Sequence, residues 1–169
     1  ITIETSGSTG VPKSIQIRKE FMVNSAKATG AFFDLGEGTE ALLCVSTDYI
    51  AGKMMLVRAL VLGWHIDVVV PVSQPLLSSE KCYDFVAMVP LQLQSSLQDL
   101  DRVKHVIVGG GVVSNELKTA LNQLSTVVYA TYGMTETVTH IAVKQLNHIK
   151  SRPTFYEVMP NVSIYKDQR

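Results

Sequence analysis

A run of small polar residues near the amino terminus has the composition of a phosphate-binding loop. It reads Thr5, Ser6, Gly7, Ser8, Thr9, Gly10, Val11, Pro12 and Lys13. Glycines let the backbone approach a ligand closely, hydroxyl and N–H groups donate to phosphate oxygens, and a lysine adds positive charge. A Gly/Ser surface turn between two strands has the same composition. Composition alone therefore leaves both interpretations open.

The residues around this run argue against a Walker A loop. Such a loop has glycine directly before the lysine and a helix after it. Here Pro12, which has no N–H to donate, precedes Lys13, and the alternating residues 14–17 predict a strand. Residues 1–4 also alternate and predict a strand before the loop. We therefore predict a strand–loop–strand phosphate clamp.

A glycine run in the second half of the chain is a second candidate ligand site. Gly109, Gly110 and Gly111 follow a predicted strand and precede a predicted helix. Ser114 stands where a dinucleotide-binding fingerprint requires its last glycine, so the run departs from the Rossmann fingerprint at that position. The run is either a tight strand-to-helix turn or bare backbone on which a flat ligand lies.

The segment Tyr132-Gly133-Met134-Thr135-Glu136-Thr137 also follows a predicted strand. An aromatic ring stacks on a purine, a hydroxyl donates to a phosphate, and a carboxylate suits Mg²⁺, which prefers oxygen ligands. The alternative is the first turn of a helix, with Thr135 as its cap and Glu136 favoured by the helix dipole.

The patterns between these segments predict an α/β fold with a mostly parallel sheet flanked by helices. Strand and helix patterns alternate at least four times with short connections, which is typical of parallel sheets. Ligands bind such sheets at the carboxyl ends of the strands. The predicted helices are 19–33, 51–62, 91–97 and 114–124 with Ser114 as N-cap, and the predicted strands are 41–45, 64–70, 84–88, 103–108 and 126–131, trailing into short strands up to residue 169.

Composition limits the classes of partner. The 169 residues carry a net charge of zero, which argues against nucleic acid and anionic membranes because these bind a concentrated basic face. Apolar runs are too short for a membrane span. The two cysteines, Cys44 and Cys82, lie in apolar surroundings and are predicted to be buried free thiols, as in a reducing cytoplasm. Oligomeric state has no signal in the sequence.

The three segments occur in an order that resembles the adenylate-forming (AMP-binding) superfamily of acyl-CoA synthetases, luciferases and peptide-synthetase adenylation domains. The resemblance covers nearly the whole chain. It implies that residues 1–169 are the central part of the large N-terminal domain of an AMP-forming ligase. The small C-terminal lid of the family, with its lysine, has no counterpart here, and neither does the ribose-binding aspartate.

The resemblance implies a role for each motif residue. The first loop would close over the β- and γ-phosphates of ATP, and the glycine turn would border the adenine. Tyr132 and Gly133 would lie beside adenine, Thr135 would contact the α-phosphate and the substrate carboxylate, and Glu136 would bind Mg²⁺. The implied nucleotide-binding residues are Thr5, Ser6, Gly7, Ser8, Thr9, Gly10, Lys13, Gly109, Gly110, Gly111, Tyr132, Gly133 and Thr135, and the implied catalytic residues are Lys13, Thr135 and Glu136.

The implied reaction is attack of a carboxylate on the α-phosphorus of ATP, which releases pyrophosphate and leaves an acyl-adenylate. Coenzyme A would then take the acyl group as a thioester. Positioning and charge neutralisation are the sources of such catalysis, since two anions must meet. Without the lid, the chain alone is expected to be weakly active or inactive. The alternative is a non-catalytic nucleotide-binding module.

Residues 49–60 and 89–93 resemble the o-succinylbenzoate–CoA ligases of menaquinone synthesis, whose substrate is an aromatic dicarboxylate. Tyr49 replaces the histidine that often begins the first segment. Lys53 and Arg58 would project from the helix that faces the acid pocket. Five residues apart, they do not share a helical face, so at most one is the ligand, and arginine suits a carboxylate. Two solvated helix charges, and an aryl or fatty acid as substrate, are the alternatives. His140, which follows the Tyr132 motif, is predicted to be structural.

Overall fold

The protein is described by a computed structural model that covers residues 1–4, 14–149 and 154–166. Short 3-10 turns occur at Pro75–Ser78, Leu97–Arg102 and Thr135–Thr137. The strands are β1 (Thr2–Glu4), β2 (Ser14–Gln16), β3 (Glu40–Leu43), β4 (His65–Val68), β5 (Tyr83–Met88), β6 (Val103–Val108), β7 (Val127–Gly133), β8 (His140–Gln145) and β9 (Glu157–Val158), and the helices are α1 (Lys19–Phe33), α2 (Ile50–Leu62), α3 (Pro90–Ser95) and α4 (Asn115–Leu121).

Within the described residues, seven strands form one sheet in the order β4-β3-β5-β6-β7-β8-β9. The first five of these are parallel, and β8 and β9 are antiparallel additions at one edge. The chain runs from β3 to its neighbour β4 and then returns to β5 on the other side of β3. The strand order therefore reverses there, and the carboxyl ends of the parallel strands share one edge where ligands bind in folds of this kind. This confirms the predicted α/β class.

The sheet is covered on both faces, as expected from residues 41–45, a continuous apolar run that includes most of β3. On one face, α3 and α4 place Leu93, Leu117 and Leu121 against strand residues such as Val106. On the other face, α1 and α2 supply Phe33, Met55 and Ala59 to a second cluster. Helices and sheet therefore bury two separate apolar layers, which fix the strand ends in place.

A third apolar cluster joins the β1–β2 hairpin to the rest of the molecule. The two strands are antiparallel, with Ile3 opposite Ile15. Ile3 and Ile17 pack in one cluster with Met22 of α1, Met54 of α2 and Val138, which follows the last 3-10 turn. All five side chains are buried. The hairpin is thus held against α1, α2 and the segment before β8.

Several element bounds agree closely with the predictions, and others differ by one turn. Helix α1 and strand β6 have the predicted bounds, and Ser114 caps α4 by accepting a hydrogen bond from the N–H of Leu117 at 3.1 Å. Helix α4 ends at Leu121 rather than at residue 124. Residues Tyr132 and Gly133, predicted to lie in a loop, instead complete β7 because they pair with β8.

One of the two cysteine predictions is wrong. Cys44 is buried, its thiol donates to the carbonyl of Ala87 at 3.3 Å, and burial raises its pKa to about 12. Cys82 is exposed because β5 begins only at Tyr83, so that Cys82 lies in the loop before the strand. The charged neighbours of Cys82 were the sequence signal for this boundary.

The helices are short. The longest, α1, has 15 residues. Within the described residues, no helix has the length and apolar character that crossing a membrane requires.

Candidate functional site

Two of the three predicted ligand segments lie side by side at the carboxyl edge of the sheet. Strand β6 ends at Val108, directly before Gly109, and its parallel neighbour β7 ends in Tyr132 and Gly133, with Val108 opposite Ala130 in the register. The hydroxyl of Thr131 donates to the carbonyl of Val108 at 3.1 Å and ties the two strand ends together. The glycine turn and the Tyr132 segment therefore border the same edge.

The third segment, Thr5–Lys13, lies outside the described residues, but its two ends are described. Glu4 and Ser14 are paired across the β1–β2 hairpin, so the loop leaves and returns at one point. Ile3, next to that point, packs in one cluster with Val138, which directly follows the Thr135–Thr137 turn. The stem of the predicted phosphate loop is thus anchored beside the Tyr132 segment.

The glycine turn presents bare backbone. Gly110 has a φ of 76° in the left-handed region, and Gly110 and Gly111 are both exposed. A Cβ atom on Gly109 would lie 2.6 Å from the hydroxyl oxygen of Thr131. A close approach therefore requires a glycine at position 109, and backbone conformation favours one at 110. The turn interpretation is confirmed, and it leaves an open backbone surface at the sheet edge.

The Tyr132 segment exposes the groups that were predicted to contact a nucleotide. The Tyr132 side chain is 53% exposed, and its ring centroid lies 5.8 Å from that of Tyr156. Glu136 is exposed on the 3-10 turn. The turn is closed by Thr137, whose hydroxyl oxygen accepts from the N–H of Met134 at 2.9 Å, so the predicted alternative of a cap by Thr135 is wrong.

The described residues could bind Mg²⁺ only together with the phosphates of a bound nucleotide, because they offer no complete set of protein ligands. Among the described residues, no group of three or more histidine, cysteine, aspartate or glutamate side chains is arranged to hold a metal. Mg²⁺ needs no such cage, because it keeps several waters and binds through one or two carboxylates and substrate phosphates. The exposed carboxylate of Glu136 matches that requirement.

The two cations of α2 have different surroundings. The ammonium of Lys53 donates to the carbonyl of Thr47 and, at 3.3 Å, to that of Asp48, so it closes the loop between β3 and α2. Tyr49, which precedes the helix, is 53% exposed and makes no side-chain cap. Lys53 and Tyr49 therefore lie at the carboxyl edge near the helix start, whereas Arg58 lies more than a turn further along.

Arg58 is buried, with 1% of its surface exposed, so the interpretation of both cations as solvated helix charges is wrong for this residue. Its Nε donates to the hydroxyl of Thr29 and its Nη2 to that of Thr139, both at 3.3 Å, and its Nη1 approaches the sulfur of Met55 at 3.7 Å. Within the part of the chain that is described, no carboxylate lies within ion-pair distance. Burial lowers the pKa of Arg58 to about 10, so the guanidinium is charged at neutral pH.

The backbone is strained at Val138, immediately before Thr139, which contacts Arg58. Val138 has a φ of 71° and a ψ of −53°, which is a rare and strained turn conformation for a β-branched residue. Its buried side chain keeps it in place among the hairpin residues. Strain of this kind persists where the surroundings over-determine the backbone, and it is concentrated at functional sites.

Sequence reasoning missed Thr29 and Thr139 and placed His140 only in a structural role. Thr29 of α1 and Thr139 contact the guanidinium, and His140, the first residue of β8, contacts both threonines. A single arginine within the otherwise apolar run 54–62 was the available signal, because an arginine is rarely buried unless it has a partner.

An open recess of about 520 Å³ lies at the opposite edge of the sheet, where the parallel strands begin. Its lining mixes acidic and basic side chains, including Asp84, Asp101 and Lys104, and includes Cys82. It contains no predicted ligand residue, so the carboxyl edge is the better candidate site.

Comparisons with known proteins point to one family. The profile of the family described as "AMP-binding enzyme" matches residues 3–166. A probable 2-succinylbenzoate–CoA ligase of Mycobacterium tuberculosis is 30% identical over 154 residues, which cover 81% of this chain and 39% of that protein. The corresponding ligase of Haemophilus influenzae is 26% identical over 83% of this chain and 32% of its own length.

Solved structures give the same family. An acyl-CoA synthetase (AMP-forming)/AMP-acid ligase II-like protein of Dyadobacter fermentans has a TM-score of 0.91 and 41% identity, and covers 99% of this chain and 50% of its own. The o-succinylbenzoate coenzyme A synthetase of Bacillus subtilis, solved with ATP and magnesium ion, has a TM-score of 0.77 at 23% identity over 86% of this chain and 32% of its own, a likeness that shows the fold alone.

The chain thus spans half or less of the length of these relatives. The family profile covers nearly all of it, and the segments that carry the resemblance in the sequence border one edge of the sheet as far as they are described. The chain belongs to the AMP-binding enzyme family.

Proposed function

We propose that the chain is the nucleotide-binding part of an ATP-dependent, AMP-forming ligase that joins a carboxylic acid to coenzyme A. The observation that supports it most is the convergence of the β1–β2 hairpin, the glycine turn and the Tyr132 segment at one edge of the sheet. In this proposal residues 1–169 are part of the N-terminal domain of a longer enzyme. The lysine-bearing lid and the ribose-binding aspartate belong to other parts of that enzyme.

The site residues have distinct roles in this proposal. Thr5–Lys13 donates hydrogen bonds and one positive charge to the β- and γ-phosphates, which neutralises the pyrophosphate that leaves. Adenine lies between Tyr132 and the backbone of Gly109–Gly111. Thr135 orients the α-phosphate and the reacting carboxylate, and Glu136 holds Mg²⁺, which supplies further charge neutralisation. These contributions are positional and electrostatic, as expected where two anions react.

We propose a dicarboxylic acid, with o-succinylbenzoate first, as the substrate. Arg58 supports this choice, because a buried guanidinium without a carboxylate partner among the described residues is suited to the second carboxylate of such an acid. A fatty acid suits Arg58 less well, since its apolar chain leaves a desolvated charge unpaired. Lys53 is already bonded to loop carbonyls, so we assign it and Tyr49 to the rim.

Binding of ATP tests the nucleotide site. Isothermal titration with ATP and Mg²⁺ is expected to give saturable binding to the full-length protein, weakened about tenfold or more in Lys13→Ala and in Glu136→Ala, because each loses one charge-assisted contact. Lys104→Ala is the matched control, since Lys104 is an exposed lysine on β6 away from the carboxyl edge.

Turnover tests the reaction. Pyrophosphate release by the full-length protein is expected with o-succinylbenzoate and to be weaker with benzoate. Release at background with every acid tried, together with intact ATP binding, would leave a nucleotide-binding module and exclude the ligase. A preference for long-chain acids would exclude the dicarboxylate assignment instead.

A further inference from the structure

The guanidinium of Arg58 is held by a small network of neutral polar groups. Thr29 of α1 accepts from Nε, and Thr139 accepts from Nη2. His140 lies between the two threonines, with its Nε2 3.3 Å from the hydroxyl of Thr29 and its Nδ1 3.4 Å from that of Thr139. Thr29 is fully buried, and His140 is 7% exposed. Each threonine therefore touches both the arginine and the histidine.

Counting protons assigns the tautomer of His140. The Thr29 hydroxyl has one proton, which it donates to the carbonyl of Ser25 at 3.0 Å. Its oxygen has two lone pairs, and these accept from Arg58 Nε and from His140 Nε2. His140 Nδ1 is then an acceptor, and the hydroxyl of Thr139 donates to it while accepting from Arg58 Nη2. In this arrangement every hydrogen-bonding atom of Thr29, Thr139 and His140 has a partner.

The other tautomer leaves two groups unsatisfied. Nε2 would then need a donor, and the one proton of the Thr29 hydroxyl is already donated to Ser25. With the proton on Nδ1, Thr139 would accept from both Arg58 and His140, and its own proton would have no acceptor among the described residues. A protonated His140 would place a second positive charge beside the guanidinium. Burial, and then the charge of Arg58, lower the pKa of His140 to about 3, which agrees with a neutral ring.

The network leaves two N–H groups of Arg58 without a partner in the described chain. An arginine has five N–H donors. Nε uses its single one on Thr29, Nη2 uses one of two on Thr139, and Nη1 uses one of two on Met55, so each terminal nitrogen keeps one. An arginine binds both oxygens of one carboxylate through a fork of N–H groups on neighbouring nitrogens, and one donor on each of Nη1 and Nη2 remains for such a fork.

We propose that His140 is a positioning residue which, through Thr29 and Thr139, fixes the plane of the Arg58 guanidinium so that this fork receives one carboxylate of the acid. The inference rests on the proposed function, because it takes Arg58 as the group that binds the second carboxylate. It adds that selectivity for a dicarboxylate depends on a neutral histidine that does not touch the acid. Three neutral side chains fix the orientation without offering the guanidinium a competing anion.

Kinetics of the full-length protein test the proposal. In His140→Leu, which removes both ring nitrogens at similar volume, we expect KM for o-succinylbenzoate to rise about tenfold to a hundredfold, since a polar group left without its partner weakens binding by that order. KM for ATP and kcat/KM for benzoate are expected to stay within about twofold. Thr29→Val, which removes only the bridging hydroxyl, is expected to give the same pattern.

Two further variants separate positioning from packing. His140→Gln keeps an amide donor near the place of Nε2 and is expected to recover part of the affinity for the dicarboxylate. His65→Leu is the control, because the side chain of His65 is 71% exposed at the β4 edge. An equal rise of KM for both acids in His140→Leu, or no rise while Arg58→Met removes the selectivity, would overturn the inference.

Nitrogen NMR of the histidine rings tests the network without turnover. The His140 ring is expected to be neutral with its proton on Nε2 between pH 5 and 8, and the Arg58 Nε–H is expected to exchange more slowly in the wild type than in Thr29→Val. A charged ring or a proton on Nδ1 overturns the inference whatever the substrate is. Absence of a dicarboxylate preference in the wild type overturns the proposed function instead, and the NMR result stands by itself.

Discussion

Replacing Arg58 by methionine is expected to leave the fold at least as stable as the wild type and to remove discrimination for a dicarboxylic acid. The guanidinium is 1% exposed and has no carboxylate within ion-pair distance in the described residues. Desolvation of an unpaired charge is costly, and replacing buried ionic groups by apolar ones of similar volume is often neutral or stabilising by about 1–4 kcal/mol. Urea unfolding of both proteins measures this difference.

Arg102→Met is the matched control for stability. Arg102 donates to the carboxylate of Asp99 at 2.7 Å, to the carbonyl of Leu76 at 3.0 Å and to that of Ser79, so it joins two 3-10 turns. Its replacement leaves these acceptors without a donor and is expected to lower the free energy of unfolding by about 1–3 kcal/mol. A larger loss of stability in Arg58→Met than in Arg102→Met would contradict our view of Arg58 as a binding residue.

The same variant is expected to lose activity. The value of kcat/KM for o-succinylbenzoate should fall about a hundredfold or more, because truncating one partner of a buried charge pair costs about 2–5 kcal/mol. Arg58→Lys should recover little, since an ammonium is a point charge that does not form the two-oxygen fork. A residue that lowers stability but is required for binding is expected at a functional site.

The sheet and its ligand edge were predictable because local signals and the global fold agree. The continuous apolar run of residues 41–45 indicated β3, and Ser114 marked the start of α4. Alternation of strands and helices predicted the parallel order, and the strand-end rule then located Gly109–Gly111 and Tyr132–Thr137 at one edge. Chemistry-bearing loops of this fold follow the strands, so predicting the strands also locates the loops.

The burial of Arg58 was not predictable, because α2 has no apolar stripe. Residues 54–57 and 59–62 are all apolar, so periodicity does not tell which face is inside. In the structure Leu60 is 85% exposed and Arg58 is 1% exposed, the reverse of their ordinary preferences. The contacts to Thr29 and Thr139 that decide this orientation join residues 29 and 81 positions away along the chain.

The positive φ of Val138 could not be predicted from the sequence either, but for a different reason. Valine almost never adopts a positive φ, so no local signal predicts it there. The hairpin cluster and the pairing of Gly133 with His140 impose the conformation from two sides. The backbone therefore departs from the ordinary preference of valine at the point where the β1–β2 hairpin, the end of β7 and the start of β8 meet.

Gly133→Ala tests the close contact between the end of β7 and the residues at the start of β8. Strand β7 shifts register between Tyr132 and Gly133, which brings Gly133 opposite His140. A Cβ atom on residue 133 would lie 2.2 Å from the carbonyl oxygen of Thr139 and 2.6 Å from the Cα of His140. Both atoms are backbone and have no rotamer by which to move away. We expect the free energy of unfolding to fall by about 1–3 kcal/mol or more, the usual cost of overpacking.

The displaced atoms belong to Thr139, which contacts Arg58, and to His140, which contacts Thr139, so Gly133→Ala should also raise KM for o-succinylbenzoate. Gly36→Ala is the control, because nothing lies within 4 Å of a Cβ built there, and its stability and kinetics should match the wild type. Unfolding by urea and steady-state kinetics measure the two effects. Wild-type stability in Gly133→Ala would mean that β7 and β8 separate readily, whereas a loss of stability with unchanged KM would mean that the strand contact does not hold the Arg58 network.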